Sequence, residues 1–276
     1  AIRRGYSLAV VEKVWDVLRS FASFGFCKAH AAAFALPTYQ SAWLKAHYPA
    51  PFYAGILTHD PGMYPKRLIL DDARNHGVQV LGLDINRSAN AYRVEPGPHG
   101  AWGVRLPFTD VKGISADEVA SIAIGQPYSS LVDAWHRAGM ARPTIERLVV
   151  AGAFDSVYGF NSARQVRERG RITRRDLLLQ IADLSRSSRS TQDCTAQLSF
   201  ALGDDELTPS GLPEMSASEL VRAELDVLGL DVSHHIMDFH AELLRQLGVT
   251  RSSRMLSCRS RQEVLIAGVK VATQTP

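Results

Sequence analysis

Lys28 and His30 stand two residues apart, behind Gly25, at the opening of the run Phe24-Gly25-Phe26-Cys27-Lys28-Ala29-His30-Ala31-Ala32-Ala33-Phe34. A turn glycine ahead of an alanine-rich stretch predicts a helix start, where the first backbone amides lack partners and the helix dipole adds partial positive charge. Two cationic or hydrogen-bonding side chains beside such amides suit a phosphate. A surface lysine and a satisfied histidine would leave the same local pattern, so these residues alone leave both readings open.

Val111-Lys112-Gly113-Ile114-Ser115, followed by Ala116–Ile124, resembles one arm of a helix-hairpin-helix. Glycine at such a turn lets backbone N–H groups approach a DNA phosphate without an obstructing side chain. The usual second glycine is Ser115 here, so the hairpin is expected to be distorted. A second arm could lie in Ile145–Asp155, with Ala151, Gly152 and Ala153 at its turn. Plain helix packing, with Gly152 as a helix stop, is the competing account.

Arg164, Arg167, Arg169, Arg171, Arg174 and Arg175, with Glu168 as the lone acid among them, are the densest charge cluster and the expected seat for duplex phosphates. Gln197-Leu198-Ser199-Phe200 faintly resembles the Gln-Leu-x-aromatic peptide that docks in sliding-clamp grooves, although Ala201 stands where a second apolar or aromatic partner is usual. His234, His235 and His240 lack Cys or acidic companions at ligand spacing, so no metal is expected there.

The bulk numbers carry less. Lys and Arg total 31 against 28 Asp and Glu, a net charge of only +3, too weak to announce nucleic-acid binding. Hydrophobic content of 46% with 21% charged residues is ordinary for a globular protein, and 276 residues predict two or three modules. Cys27, Cys194 and Cys258 stand far apart without CxxC spacing and read as isolated reduced thiols in a cytoplasmic protein. No apolar run approaches the ~20 residues that span a bilayer. The start at Ala1-Ile2-Arg3-Arg4 reads as mid-protein sequence, and the end after Val271 as a fragment edge.

The elements that position these residues are mostly helical. Leu8, Val11, Val14, Trp15, Leu18 and Phe21 follow the spacing of an amphipathic helix over 7–22. A helix from Ala29 to His47 is expected to kink or divide at Pro37. Pro49 and Pro51 punctuate a helix ending near Leu57, and Pro65 starts another that Gly77 stops. Val78–Leu81 reads as a strand, and 91–95 with 101–106 as a hairpin. Short helices joined by glycine turns follow Lys112. Ser185–Thr191 reads as a polar linker, Ser218–Val227 as a helix, and Glu263–Val271 as a strand. The fold class is therefore mainly α with small β elements.

A family resemblance runs through these blocks. Gly25–Leu36 and Tyr39-Gln40-Ser41-Ala42-Trp43-Leu44-Lys45-Ala46-His47-Tyr48-Pro49 are similar to the fingers signature of bacterial C-family DNA polymerases, the polymerase III alpha type, approximately GFNKSHAAAYA and SYQTAWLKAHYP. The likeness continues through Leu70–Arg74, Gly77–Leu81, Asp84-Ile85-Asn86, Val111–Ile114 and Ala151–Asp155. Cys27 and Ala29 replace the usual Asn and Ser. Gly62–Arg67 and Ala267–Pro276 look more like the error-prone, damage-associated branch.

The resemblance implies the end of a fingers domain (1–104), a helix-hairpin-helix module (105–184), a linker with a helical segment (185–248) and the start of an OB-type barrel (249–276). It implies that Lys28 and His30 bind the incoming dNTP. Lys112, Gly113, Ile114, Ser115, Ala151, Gly152, Ala153 and the six arginines would hold primed DNA. Other replication or translesion proteins are the implied partners, the sliding clamp among them through Gln197, Leu198 and Phe200. The Mg²⁺ ions of nucleotidyl transfer would be held by palm acids outside this chain, since no Pro-Asp-Phe-Asp-like motif occurs in it. Asp71-Asp72 and Asp204-Asp205 do not substitute. A non-catalytic DNA-binding scaffold of the same descent and a replicative polymerase are the alternatives.

Overall fold

Helical spacing of apolar residues is realised as α1 (Leu8–Ala22) and α2 (Lys28–His47). The structure, a computed structural model, describes residues 4–22, 28–60, 62, 64–97, 100–160, 171–193 and 207–270. It divides into two compact units, Ala1–Phe52 and Tyr53–Pro276. In the first unit α2 runs unbroken through Pro37, where a kink or junction was expected, and none of its residues is buried. A proline removes one backbone bond from the ladder, and here the turns on either side keep theirs. Helix α3 follows as Pro49–His59.

The second unit holds the core. Helix α4 (Lys66–Asn75) begins after Pro65, which serves as its N-cap residue, and buries Ile69, Leu70 and Ala73. Three short strands follow: β1 (Gln79–Leu81), β2 (Arg93–Pro96) and β3 (Trp102–Arg105). The sheet order is β1-β3-β2, with β1 parallel and β2 antiparallel to β3. Val104 pairs with Val80 on one side and Val94 on the other. Tyr53, Leu70, Ile85, Phe108, Leu148 and Phe154 are among the fully buried side chains of this unit.

The helical part comprises α5 (Ala116–Gly125), α6 (Leu131–Ala138), α7 (Arg142–Val150), the four-residue α8 (Asp155–Tyr158), α9 (Arg174–Asp193), α10 (Ala217–Leu228) and α11 (Ala241–Gln246). Mostly helix with one small sheet is the α+β class that the sequence pattern predicts. Two elements differ from expectation. The polar stretch Ser185–Thr191 is the continuation of α9, whose last assigned residue is Asp193. Residues 263–270 form no strand. A strand is held by a ladder to a neighbour, and Thr250 N–H to Leu265 O at 2.8 Å is a single bond, not a ladder.

Asp231 ties distant elements of this unit together. Its carboxylate receives Arg67 Nε and Nη2 at 2.8 and 2.9 Å, and its carbonyl receives Arg74 Nη2 at 2.6 Å. A buried carboxylate met by a planar guanidinium fork is the strong form of ion pair. It docks the chain just after α10 onto α4.

Candidate nucleic-acid interface

The turn before α5 can be assessed amide by amide. Lys112 N–H donates to Val227 O at 2.9 Å, Ile114 N–H to Val111 O at 3.2 Å, and Ser115 N–H to Glu118 Oε2 at 2.9 Å. Gly113 N–H donates to no group among the described residues. Gly113 is exposed and takes φ +76°, a backbone that an L side chain resists. A Cβ there would stand 2.7 Å from Arg147 Nη1, so the guanidinium of Arg147 lies against the glycine. Arg147 forms no ion pair among the described residues. One donor-only amide and one guanidinium therefore share the outer face of this turn.

Ser115, in the place of a second glycine, gives the helix a capping box. Its Oγ accepts from Glu118 N–H at 3.2 Å, while the Glu118 carboxylate reaches back to Ser115 N–H. Burial pushes the Glu118 carboxyl up, but bonds from the Ser115 and Ala141 amides outweigh it and hold the group below its ordinary range. The first turn of α5 is thus filled by its own acids, Asp117 and Glu118. Those acids disfavour an anion along the helix axis.

Other residues expected to touch DNA are engaged elsewhere. Lys112 Nζ donates to Leu225 O at 3.0 Å and Asp226 O at 2.9 Å, which makes it a C-terminal cap of α10. The second turn closes as a Schellman motif: Gly152 N–H bonds Val149 O at 3.0 Å and Ala153 N–H bonds Leu148 O at 2.9 Å. Ala151 N–H bonds Arg147 O, also at 3.0 Å. No amide of Ala151, Gly152 or Ala153 is left for a phosphate, and Gly152 and Ala153 are buried, so Gly152 is the helix stop.

The arginine cluster needs the same correction. Arg174 is half-buried against the buried Asp155, with its Nη2 on Asp155 Oδ2 and its Nε 2.9 Å from Asp155 Oδ1. Arg175 pairs with Glu219 at 2.9 Å and Arg171 Nη2 donates to Gly159 O at 2.9 Å. Moving Arg174 to a phosphate would strand the buried Asp155 carboxylate, whereas the Arg175–Glu219 pair is exposed and weak. Arg164, Arg167 and Arg169 lie outside the described residues, as do Gln197, Leu198 and Phe200.

In the first unit, Lys28 and His30 are both exposed on the opening turn of α2, and the His30 ring meets Phe34 edge-on at 4.5 Å. Gly25 and Cys27 lie outside the described residues. Among the described residues, Asp71-Asp72 offers no two-metal site. Asp71 is held by Arg74 at 2.6 Å and Asp72 accepts from Tyr53 Oη at 2.7 Å, while Asp204-Asp205 lie outside the described residues. Among the described residues no group of three or more His, Cys, Asp or Glu is placed to hold a metal, and no helix is long and apolar enough to cross a membrane.

Sequence reasoning missed Arg147. It lies 34 positions beyond Gly113, and no periodicity announces that two such residues meet.

Residues 77–165 match the helix-hairpin-helix motif family, and both turns fall inside that match. The whole chain then finds relatives. It is 31% identical to the error-prone DNA polymerase of Symbiobacterium thermophilum, over 100% of this chain and 28% of that protein. It is 32% identical to the error-prone DNA polymerase of Nocardia farcinica, over 99% and 23%. It is 31% identical to the DNA polymerase III subunit alpha of Neisseria meningitidis serogroup B, over 100% and 23%. The chain is related along its length to the bacterial C-family DNA polymerases, as its fingers-like run implies, and spans about a quarter of the length of the curated relatives it matches.

Proposed function

We propose that this chain is the nucleotide-delivering and duplex-holding part of a DNA-directed DNA polymerase of the error-prone, repair or translesion kind. The observation that carries it is the Gly113 turn, whose amide has no acceptor among the described residues and lies beside the guanidinium of Arg147. A backbone amide with an adjacent cation binds a phosphate oxygen without reading a base, which is what a polymerase needs from duplex it has just made. Residues 105–184 would grip that duplex. Residues 1–104 would end the fingers, with Lys28 and His30 on the triphosphate of the incoming dNTP. The segment 185–248 would link to an OB-like start at 249–276. Mg²⁺ held by acids elsewhere in the polymerase would stabilise the attacking and leaving oxygens. A cytoplasmic setting, and a clamp contact through Gln197, Leu198 and Phe200, complete the reading.

The test is DNA affinity across a salt series. Arg147→Gln should weaken binding to primed duplex of any sequence and reduce the log–log salt slope by about one phosphate's worth, ~0.9. An unchanged slope removes the turn from the interface. In a full-length polymerase containing this chain, Lys28→Ala should raise KM for all four dNTPs together. Four unchanged KM values would end that assignment.

A further inference from the structure

Positive charge that is held internally differs from positive charge that is offered to a partner. Arg171, Arg174 and Arg175 are held. A second run behaves otherwise. Residues 243–262 contain Arg245, Arg251, Arg254, Arg259 and Arg261 and no Asp or Glu. Arg245 is paired with Glu242, Nε to Oε2 at 2.9 Å. Arg251, Arg254, Arg259 and Arg261 are all exposed, and none of them pairs with an acid among the described residues.

The backbone sets these four in two consecutive turns. Ser252–Ser257 is a 3₁₀ turn with Arg251 at its N-cap, closed by Arg254 N–H to Arg251 O at 2.9 Å. Side chains three apart eclipse in such a turn, so Arg251 and Arg254 share a face roughly 6 Å apart along its axis. A turn follows at once. Gln262 N–H bonds Arg259 O at 3.1 Å, and Arg259 N–H bonds Gln262 Oε1 at 3.0 Å. Its third residue, Arg261, takes φ +62°. Glycine or asparagine suits that position, and a longer side chain there costs about 1 kcal/mol. An outlier of this kind asks for a reason outside the turn.

We infer that Arg251, Arg254, Arg259 and Arg261 form a second phosphate-binding surface, taking the backbone of a DNA strand separately from the Gly113–Arg147 turn. The inference rests on the DNA-binding reading above, which supplies the partner. DNA offers a phosphate about every 3.4 Å of axis per strand, so a pair roughly 6 Å apart spans about two such steps. The exposed Met255 and the fully exposed Leu256 between the two arginine pairs give an apolar rest for an unstacked base beside guanidinium planes.

The experiment replaces all four arginines with glutamine in the full chain and follows binding to a primed template over a salt series, with Arg147→Gln measured in parallel. The expected result is a salt slope smaller in magnitude by about 2 to 4, at about 0.9 per phosphate, with the melting temperature unchanged. A matching four-lysine variant should keep most of the slope, because it keeps the charge. Wild-type affinity and slope in the glutamine variant would overturn the surface. If Arg147→Gln alone loses slope, the hairpin reading survives without it. If neither variant does, both readings fall.

Discussion

Two glycine turns of one helix-hairpin-helix region share a left-handed backbone and differ in everything around it. Gly113 is exposed at φ +76°, with an idle amide and an arginine tip against its Cα. Gly152 is buried at φ +85°, its amide closing α7, and a Cβ there would meet Arg174 Nη2 at 2.9 Å and Asp155 Oδ2 at 3.1 Å. The first turn faces outward and has a donor to give. The second uses its donors to stop a helix and seat a buried ion pair. A glycine in a motif therefore says that the backbone turns left-handed; only the count of its amides says whether a ligand can use the turn.

Breaking the buried side should cost most. Arg174→Met leaves the Asp155 carboxylate without its partner, and losing one member of a buried pair costs about 3 to 5 kcal/mol. Urea denaturation should show the midpoint fall by a large fraction of the total. A shift below about 1 kcal/mol would mean that the pair is not buried as described.

Alanine at the two glycines sharpens the contrast. Gly152→Ala adds the left-handed penalty to a contact with the Asp155–Arg174 pair, for a loss of about 2 to 3 kcal/mol. Gly113→Ala carries the same penalty of about 1 kcal/mol, but its Cβ meets only the tip of a flexible side chain, which can move away. Its larger effect should be on DNA affinity, because the methyl group takes the place where a phosphate and Arg147 would converge. Equal stability losses with equal DNA affinity in the two variants would erase the distinction.

Much of the fold was legible. The helical periods of α1 and α4, the β2–β3 hairpin around Pro96–Gly100 and the helix stop at Gly77 all follow from local spacing. Pro37 does not divide α2, because a proline costs one bond of a twenty-residue helix and the remaining bonds hold it together. Ser185–Thr191 misled because a linker-like composition also fits the continuation of a helix nucleated upstream. The site was legible only in outline. Gly113 could be read as a turn, but Lys112 is drawn to the carbonyls of α10, more than a hundred residues later. Arg174 likewise finds an acid 19 positions away. A lysine beside a hairpin glycine looks the same in sequence whether it caps a helix or meets a phosphate.

The smallest effect is one of pH, and it runs in opposite directions at the two turns. Glu118, below the first, has its carboxyl held under the ordinary range of about 4 to 4.5 because amide bonds outweigh burial. A depressed acid contributes stability that is present above that range and lost as pH falls through its folded value. Asp155, beside the second, is raised by burial, which Arg174 only partly offsets. Its ionised form is the costly one, so that cost disappears as pH falls through its raised value. Glu118→Gln should therefore flatten the acid side of the stability curve, and Asp155→Asn should steepen it, each by of order 1 kcal/mol or less between neutral pH and about pH 4. Both variants are read by urea melts at the two pH values, and only the difference between pH values counts, because each substitution also changes stability at neutral pH. Parallel curves for the two variants would show that the turns do not differ in charge environment, whatever their amides do.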